Sequence, residues 1–382
     1  MGSGIAQVAA TAGCTVLIYD SNEAAREKSR LALKSALFRA VEKQKMSGAE
    51  ADAVFNRISY ISDLAELKTC ALVIEAIIEN LEAKQKVFAE LETVVSSDCI
   101  MASNTSSLSI TSIASACKKQ ERVIGLHFFN PAPVMPLVEI IPGLATDYKM
   151  TLDAKEIIEN WKKVCVLAKD TPGFIVNRVA RPFYGEAIRI YEEGLAGAHG
   201  EQGFATIDWA MKEFGGFKMG PFELMDMIGN DINYTVTETV WTQQFFDQRY
   251  KPSLTQKRLF EAKRFGKKSG KGYFNYAEDA VKTEPMKDEH LCRAIFFRVL
   301  VMLMNEAADA LYYNVASRED IDLAMTMGVN YPKGLLKWAD EIGIDKVMQG
   351  IQGLYDEYGE DRYRPSVLLK RMAKDGMKFY GI

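Results

Sequence analysis

The chain has 382 residues, 48% of them hydrophobic and 26% charged, with 47 basic and 51 acidic side chains and a net charge of -4. That length predicts two or three domains, in proportions usual for a globular protein that buries real cores. The slightly acidic balance provides no basic footprint, which argues against nucleic acid or an anionic membrane as partner.

The six cysteines (Cys14, Cys70, Cys99, Cys117, Cys165 and Cys292) form no C-x-x-C pair. They read as reduced thiols of a cytoplasmic protein. The most apolar stretch, 294–303, is interrupted by Arg298 and is too short to cross a bilayer. No charged segment followed by an apolar one opens the chain, so no secretory signal is expected.

In chain order, Met1-Gly2-Ser3-Gly4-Ile5-Ala6 leads into a helical run that ends near Gly13. A β-rich stretch, 15–19, follows and stops at Asp20; a long Ala/Leu/Lys/Glu-rich helix is predicted over about 22–45. This pattern matches the tail of a dinucleotide-binding unit. There the helix N-terminus receives a pyrophosphate, and an acid ending the second strand accepts hydrogen bonds from the ribose hydroxyls. Gly2 and Asp20 are the candidates, and Asp20 favours NAD over NADP because it repels a 2′-phosphate. A flexible start and a turn aspartate are the plain alternatives. The strand and the first glycines that open such a unit do not precede Met1; either a longer natural chain or poor NAD binding is expected from that.

Further strands are predicted at 71–77, 100–103, 123–129 and 137–141, with a helix at 81–95. Alternation of strand and helix predicts a parallel sheet covered on both faces. At Lys169-Asp170-Thr171-Pro172-Gly173, Thr171 reads as a helix N-cap with Pro172 in the first helical position. One long helix to Glu193 is predicted from there, and nearly everything after it looks helical. The fold class is therefore α/β followed by all-α, the first part being a Rossmann-type dinucleotide domain without its first strand.

The helical part contains a repeat. Ile207-Asp208, Ala210-Met211, Gly220, Asp226 and Gly229 recur 114 positions later as Ile321-Asp322, Ala324-Met325, Gly334, Asp340 and Gly343. Arg249-Tyr250 recurs at an offset of 113 as Arg362-Tyr363, and Arg178 and Glu186 recur at 120 as Arg298 and Glu306. Two copies of this size are a duplicated domain and not a solenoid. The expected domains are 1–168, 169–283 and 284–382.

The chemistry concentrates after the predicted strands. Ser103-Asn104-Thr105-Ser106-Ser107 follows one strand, where ligands of open α/β sheets bind. Gly125-Leu126-His127-Phe128-Phe129-Asn130-Pro131 ends another; His127 is one of three histidines, with His199 and His290. Glu139 lies twelve residues after His127 in the apolar run Leu137-Val138-Glu139-Ile140. A carboxylate there needs a partner, and an imidazole whose tautomer it fixes is the natural one. On these residues alone, a catalytic dyad and a structural histidine beside an edge-strand glutamate stand equally open.

Ser-Asn-Thr-Ser-Ser-Leu, Gly-Leu-His-Phe-Phe-Asn-Pro-Ala-Pro-Val-Met with Leu-Val-Glu, Asp-Thr-Pro-Gly-Phe-Ile-Val-Asn-Arg and Met-Gly-Pro-Phe-Glu-Leu-Met-Asp, in this order, resemble the signature of the L-3-hydroxyacyl-CoA dehydrogenases. The resemblance runs from residue 1 to about 276 and continues through the second helical copy. Arg178-Val179-Ala180-Arg181-Pro182-Phe183-Tyr184 and the duplication most resemble the bacterial branch associated with phenylacetate degradation, whose members oxidise 3-hydroxyadipyl-CoA. What this implies is oxidation of a 3-hydroxyacyl-CoA with NAD as hydride acceptor. His127 would be the general base, Glu139 its orienting carboxylate, Ser106 the hydroxyl near the substrate oxygen and Asn177 the substrate-binding amide. The resemblance places Asp20, Glu79, Lys84, Asn104, Asn130 and Lys268 with Gly2 on the cofactor side, and Lys43 near a CoA phosphate, where an exposed helix lysine is the plain alternative. It also implies a cleft shared by the two domains. Pro136 departs from the lysine common in that segment of the family.

The second helical copy has Phe297 where the first has Asn177. It is expected to be a packing partner, giving a monomer with an internal pseudo-dimer or a homo-oligomer built through the helical domains. Two other readings stand beside the dehydrogenase: a catalytically impaired acyl-CoA-binding relative, and a dehydrogenase acting on a hydroxy acid without CoA.

Overall fold

Alternating apolar runs and amphipathic stretches make up the first of two units, Met1–Thr171, of a computed structural model that describes residues 1–381. Its elements are α1 (Gly2–Thr11), β1 (Val16–Tyr19), α2 (Glu23–Glu42), α3 (Gly48–Asn56), β2 (Ile58–Ile61), β3 (Leu72–Glu75), α4 (Leu81–Val94), β4 (Ile100–Ser103), α5 (Ile110–Ala114), β5 (Val123–Phe128), β6 (Leu137–Pro142), α6 (Tyr148–Asn160) and β7 (Val164–Leu167). Asn22 and Asn80 cap α2 and α4, and Ser47 with Glu50 forms a capping box on α3.

The strands pair in two pieces, β1-β2 and β3-β4-β5-β6-β7. Pairing is parallel except between β5 and β6, which are antiparallel. The connection 129–136 explains the exception, because a parallel crossover takes about a dozen residues or more. Ile124, Leu126, Phe128, Val138 and Ile140 face a core shared with Ile5 and Val8 of α1, Ala102 of β4 and Ile158 of α6. Side chains alternate across a strand, so Gly125, His127, Glu139 and Ile141 face the other way. At Gly125 a Cβ would stand 2.7 Å from Ile110 Cδ1, so only glycine lets α5 lie this close to the sheet.

The second unit, from Pro172 on, is helical: α7 (Val176–Val179), α8 (Arg181–Glu192), α9 (Gly200–Gly215), α10 (Pro221–Ile228), α11 (Asn230–Gln243), α12 (Leu254–Glu261), α13 (Glu289–Tyr312), α14 (Arg318–Gly328), α15 (Leu335–Ile342), α16 (Ile344–Tyr358) and α17 (Val367–Asp375). The single helix expected from Thr171 to Glu193 is broken. Thr171 Oγ1 bonds the Lys169 carbonyl and caps nothing, and Gly173 and Phe174 have φ of 80° and 47°. Helix begins only at Val176 and is interrupted at Ala180, where Pro182 supplies no N–H to the ladder. In the second repeat Met302 stands in the place of Pro182, and the same stretch is the continuous α13.

The residues that recur in sequence do the same work twice. Asp208 accepts from the Phe222 and Glu223 amides (2.9 and 2.8 Å), and Asp322 from those of Leu336 and Lys337 (2.8 and 3.0 Å). Gly220 and Gly334 make room for this: a Cβ would lie 2.3 Å from Asp208 Cγ and 2.4 Å from Asp322 Cγ. Asp226 holds the Tyr273 and Phe274 amides, and Asp340 those of Phe379 and Tyr380.

The repeats meet reciprocally. Glu306 accepts from Arg178 Nε (2.7 Å) and Tyr250 Oη (2.5 Å) of the first repeat, and Arg249 bridges Glu306 and Asp309. Glu186 accepts from Arg298 Nε (2.7 Å) and Tyr363 Oη (2.7 Å) of the second. Both glutamates are fully buried. This is the self-complementary pattern of a two-fold dimer, formed within one chain.

Candidate active site

Antiparallel pairing sets His127 of β5 directly opposite Glu139 of β6. Their side chains meet, with Nδ1 2.6 Å from Oε2. Glu139 is fully buried and His127 is 8% exposed at its side chain. With Nδ1–H donated to a buried carboxylate, the neutral imidazole carries its lone pair on Nε2. The Phe129 ring, centred 4.5 Å from the imidazole, walls the site on one side. The arrangement can take a proton at Nε2 and stabilise the cation that results.

The serine-rich loop after β4 is held by a carboxylate. Glu79 Oε1 accepts from Thr105 Oγ1 (2.6 Å), the Ser106 amide (3.0 Å) and hydroxyl (3.3 Å), and the Ser107 amide (3.2 Å) and hydroxyl (3.1 Å). Burial raises the Glu79 pKa, but the Thr105 hydroxyl, Lys84 and the Ser106 and Ser107 donors outweigh it and hold the carboxyl below its ordinary value. Asn104 Oδ1 accepts from the Phe128 amide at 2.8 Å and ties this loop to the end of β5, next to His127.

Lys84, expected to line a cofactor site, is instead in the core at 1% exposure. It donates to Glu75 Oε1 at 2.7 Å and lies 3.3 Å from Glu79. Its route to the site is through those carboxylates. Glu75 was not among the expected residues. It ends β3, is buried, and also accepts from Ser103 Oγ (2.6 Å) and the Ile77 amide (2.6 Å). An acid closing the apolar run Leu72–Glu75 was the available signal. Asp170 was missed as well: it accepts from Ser109 Oγ, Thr111 Oγ1 and the amides of Ile110 and Thr111, and so fastens the start of α5.

Gly2 begins α1 and Asp20 directly follows β1. Asp20 Oδ1 accepts from the Asn22 amide (2.9 Å) and its carboxylate is otherwise at the surface. Asn130 is exposed in the connection after β5, and Lys43 is exposed at the end of α2. In the helical unit, Asn177 is half-buried on α7, and Lys268 pairs with Asp231 at 2.6 Å.

The sequence model of the 3-hydroxyacyl-CoA dehydrogenase NAD-binding domain matches residues 1–171, and that of the C-terminal domain matches twice, over 173–276 and 295–378. The chain is 36% identical over 458 aligned residues to 3-hydroxyadipyl-CoA dehydrogenase of Escherichia coli, covering 98% of this chain and 95% of that one. The chain belongs to the 3-hydroxyacyl-CoA dehydrogenase family. Human mitochondrial hydroxyacyl-coenzyme A dehydrogenase is 40% identical over 282 residues, covering 72% of this chain and 88% of its own. A crystal structure of 3-hydroxybutyryl-CoA dehydrogenase from Escherichia coli superposes with a TM-score of 0.89 at 35% identity, covering 98% and 96% of the two chains.

Membership of this dehydrogenase family makes NAD the oxidant and a 3-hydroxyacyl-CoA the substrate. The first unit fits such a cofactor. α1 is ten residues long and begins at Gly2, and the N-terminus of such a helix suits a pyrophosphate. The Asp20 carboxylate at the end of the neighbouring strand offers a ribose the acceptor it needs. The described residues include no helix long and apolar enough to cross a membrane.

Proposed function

We propose that His127 and Glu139 are the proton-transfer pair of this dehydrogenase. The observation that carries the proposal is the 2.6 Å contact between Nδ1 and a fully buried carboxylate. His127 Nε2 takes the proton of the substrate 3-hydroxyl while the C3–H bond breaks and the C3=O bond forms. NAD, when bound, accepts the hydride. The buried Glu139 carboxylate fixes the tautomer and offsets the positive charge that appears on the imidazole. Ser106 is the hydroxyl near the substrate 3-oxygen, and the Asn177 amide hydrogen-bonds the substrate. Gly2, Asp20, Asn104, Asn130 and Lys268 serve the cofactor, Lys84 and Glu79 keep the serine loop in place beside it, and Lys43 meets a CoA phosphate.

His127→Gln tests the pair. NADH formation from (S)-3-hydroxybutyryl-CoA is expected to fall by at least about 10²-fold, the scale of general-base catalysis, with NADH affinity by fluorescence unchanged. Retained turnover would show the base to be another group.

The likeness to the 3-hydroxyadipyl-CoA enzyme extends over both helical repeats, and we place the chain in that branch. A higher kcat/KM for 3-hydroxyadipyl-CoA than for 3-hydroxyhexanoyl-CoA is expected; equal values would remove the branch assignment and leave the family. Because each repeat fills the other's interface, the chain is expected to run as a monomer in light scattering. The six unpaired thiols accord with a cytoplasmic protein.

A further inference from the structure

Four buried polar side chains of the first repeat have aliphatic counterparts in the second. Arg181 on α8, Asn233 and Thr237 on α11 and Gln256 on α12 are all buried. At the repeat's own offsets their counterparts are Val301, Val347, Ile351 and Leu369, each fully buried. This helical fold therefore accepts apolar residues at all four places together.

In the first repeat the four are connected. Gln256 Nε2 donates to Asn233 Oδ1 (2.6 Å) and to Thr237 Oγ1 (3.2 Å), and Thr237 Oγ1 donates to the Asn233 carbonyl (2.8 Å). Arg181 Nη1 donates to Thr237 Oγ1 (3.0 Å), and Arg181 Nε donates to the main-chain carbonyl of Asn177 (2.8 Å). Burying a guanidinium is expensive unless it is paired. Here burial pushes the Arg181 pKa down and only the nearby Tyr184 and Tyr331 oppose it. A network that the fold does not need, built around a costly charge, calls for another reason.

The reason lies at the end of the chain of bonds. α7 is a single turn, preceded by the positive-φ residues Gly173 and Phe174 and followed by the break at Pro182. One turn has little stability of its own. In the second repeat, Phe297 sits inside the continuous α13, where the ordinary i to i+4 ladder holds it. We infer that Arg181, braced by Thr237, Asn233 and Gln256, is a positioning residue that fixes the backbone of Asn177 and thereby aims its amide at the substrate. The inference rests on the role given to Asn177 above.

The test exchanges the four residues for those of the second repeat: Arg181→Val, Asn233→Val, Thr237→Ile and Gln256→Leu in one chain. The variant is expected to unfold cooperatively at a Tm no lower than the parent, since apolar replacements of buried charges are often neutral or stabilising. NADH affinity and the KM for NAD should be unchanged. The kcat for 3-hydroxybutyryl-CoA should fall about 10- to 100-fold, the cost of a small misplacement. Arg181→Lys, which keeps the charge but loses the planar fork, should lower kcat in the same sense with the same unchanged KM for NAD. Asn177→Ala serves as reference. If the exchanged chain keeps kcat within twofold while Asn177→Ala is impaired, the network is structural only and the inference is wrong. If Asn177→Ala is itself fully active, it is the underlying role of Asn177 that fails. Should the fourfold exchange not fold, Arg181→Lys decides by the same twofold criterion.

Discussion

Asn177 sits on a one-turn helix in the first helical repeat, and its counterpart Phe297 sits within a 24-residue helix in the second. Next to them in sequence, Pro182 corresponds to Met302 and Arg181 to Val301. Away from this corner the two repeats share much of their frame. Asp208 and Asp322 each cap the next helix, Asp226 and Asp340 each hold a returning strand of backbone, and Glu186 and Glu306 each receive an arginine and a tyrosine from the other repeat. The second repeat is thus an internal control for the first. What both share maintains the frame and their interface; what only the first has is concentrated around residue 177.

The strongest way to break that comparison is to exchange the two residues that differ at its centre. Asn177→Phe is expected to lower kcat/KM for 3-hydroxybutyryl-CoA by about 10²–10³-fold, as loss of one donor to a reacting oxygen does in other sites. Phe297→Asn is expected to leave the rate unchanged. Initial-rate measurements of both decide it, and a rate that follows Phe297 would mean that the second repeat takes part in the chemistry.

The shared interface predicts an effect on stability instead. Glu306→Gln leaves Arg178 without the carboxylate it meets at 2.7 Å, while Arg249 keeps Asp309. Breaking a buried pair from one side costs about 3–5 kcal/mol. Glu186→Gln is expected to cost less, because Arg298 still has Glu193 at 2.8 Å. Urea unfolding of the two variants gives the order; equal losses would show that Glu193 adds nothing to this half of the interface.

Much of this was readable from residue order. The need of a carboxylate in the apolar run 137–140 for a partner pointed to His127, and the repeated Asp, Gly, Arg and Tyr positions mark the residues that lock each copy and join them. Less legible were features set by tertiary contact. Lys84 looks like any helix lysine until Glu75 closes over it. Asp170 looks like a turn residue until α5 brings its amides to it. The break before α8 was legible in principle, since Pro182 cannot sit in a helix interior; the proline-glycine pair at 172–173 drew the helix start to the wrong place. The antiparallel course of β6 follows from the short connection before it, a length that strand–helix alternation does not weigh.

The smallest predicted effect separates the two capping aspartates. Burial raises the Asp208 pKa to about 8, against the pull of the Phe222 and Glu223 amides. Burial raises Asp322 too, but the Tyr380 hydroxyl adds a donor there at 2.9 Å. Phe274 occupies the matching place in the first repeat, bonding Asp226 through its amide as Tyr380 bonds Asp340, and it has no hydroxyl. A carboxyl whose pKa is higher folded than unfolded, where it is about 3.9, favours the folded state fully below that value and loses the contribution as pH rises to about 8. Phe274→Tyr supplies the missing donor to the ionised form, so it lowers the folded pKa and shrinks the loss. The urea midpoint of the parent is expected to drop more between pH 5.5 and pH 8.5 than that of Phe274→Tyr. An equal drop in both would mean that the hydroxyl does not reach Asp208, and that the two repeats differ in backbone placement at this cap as well as in side chain.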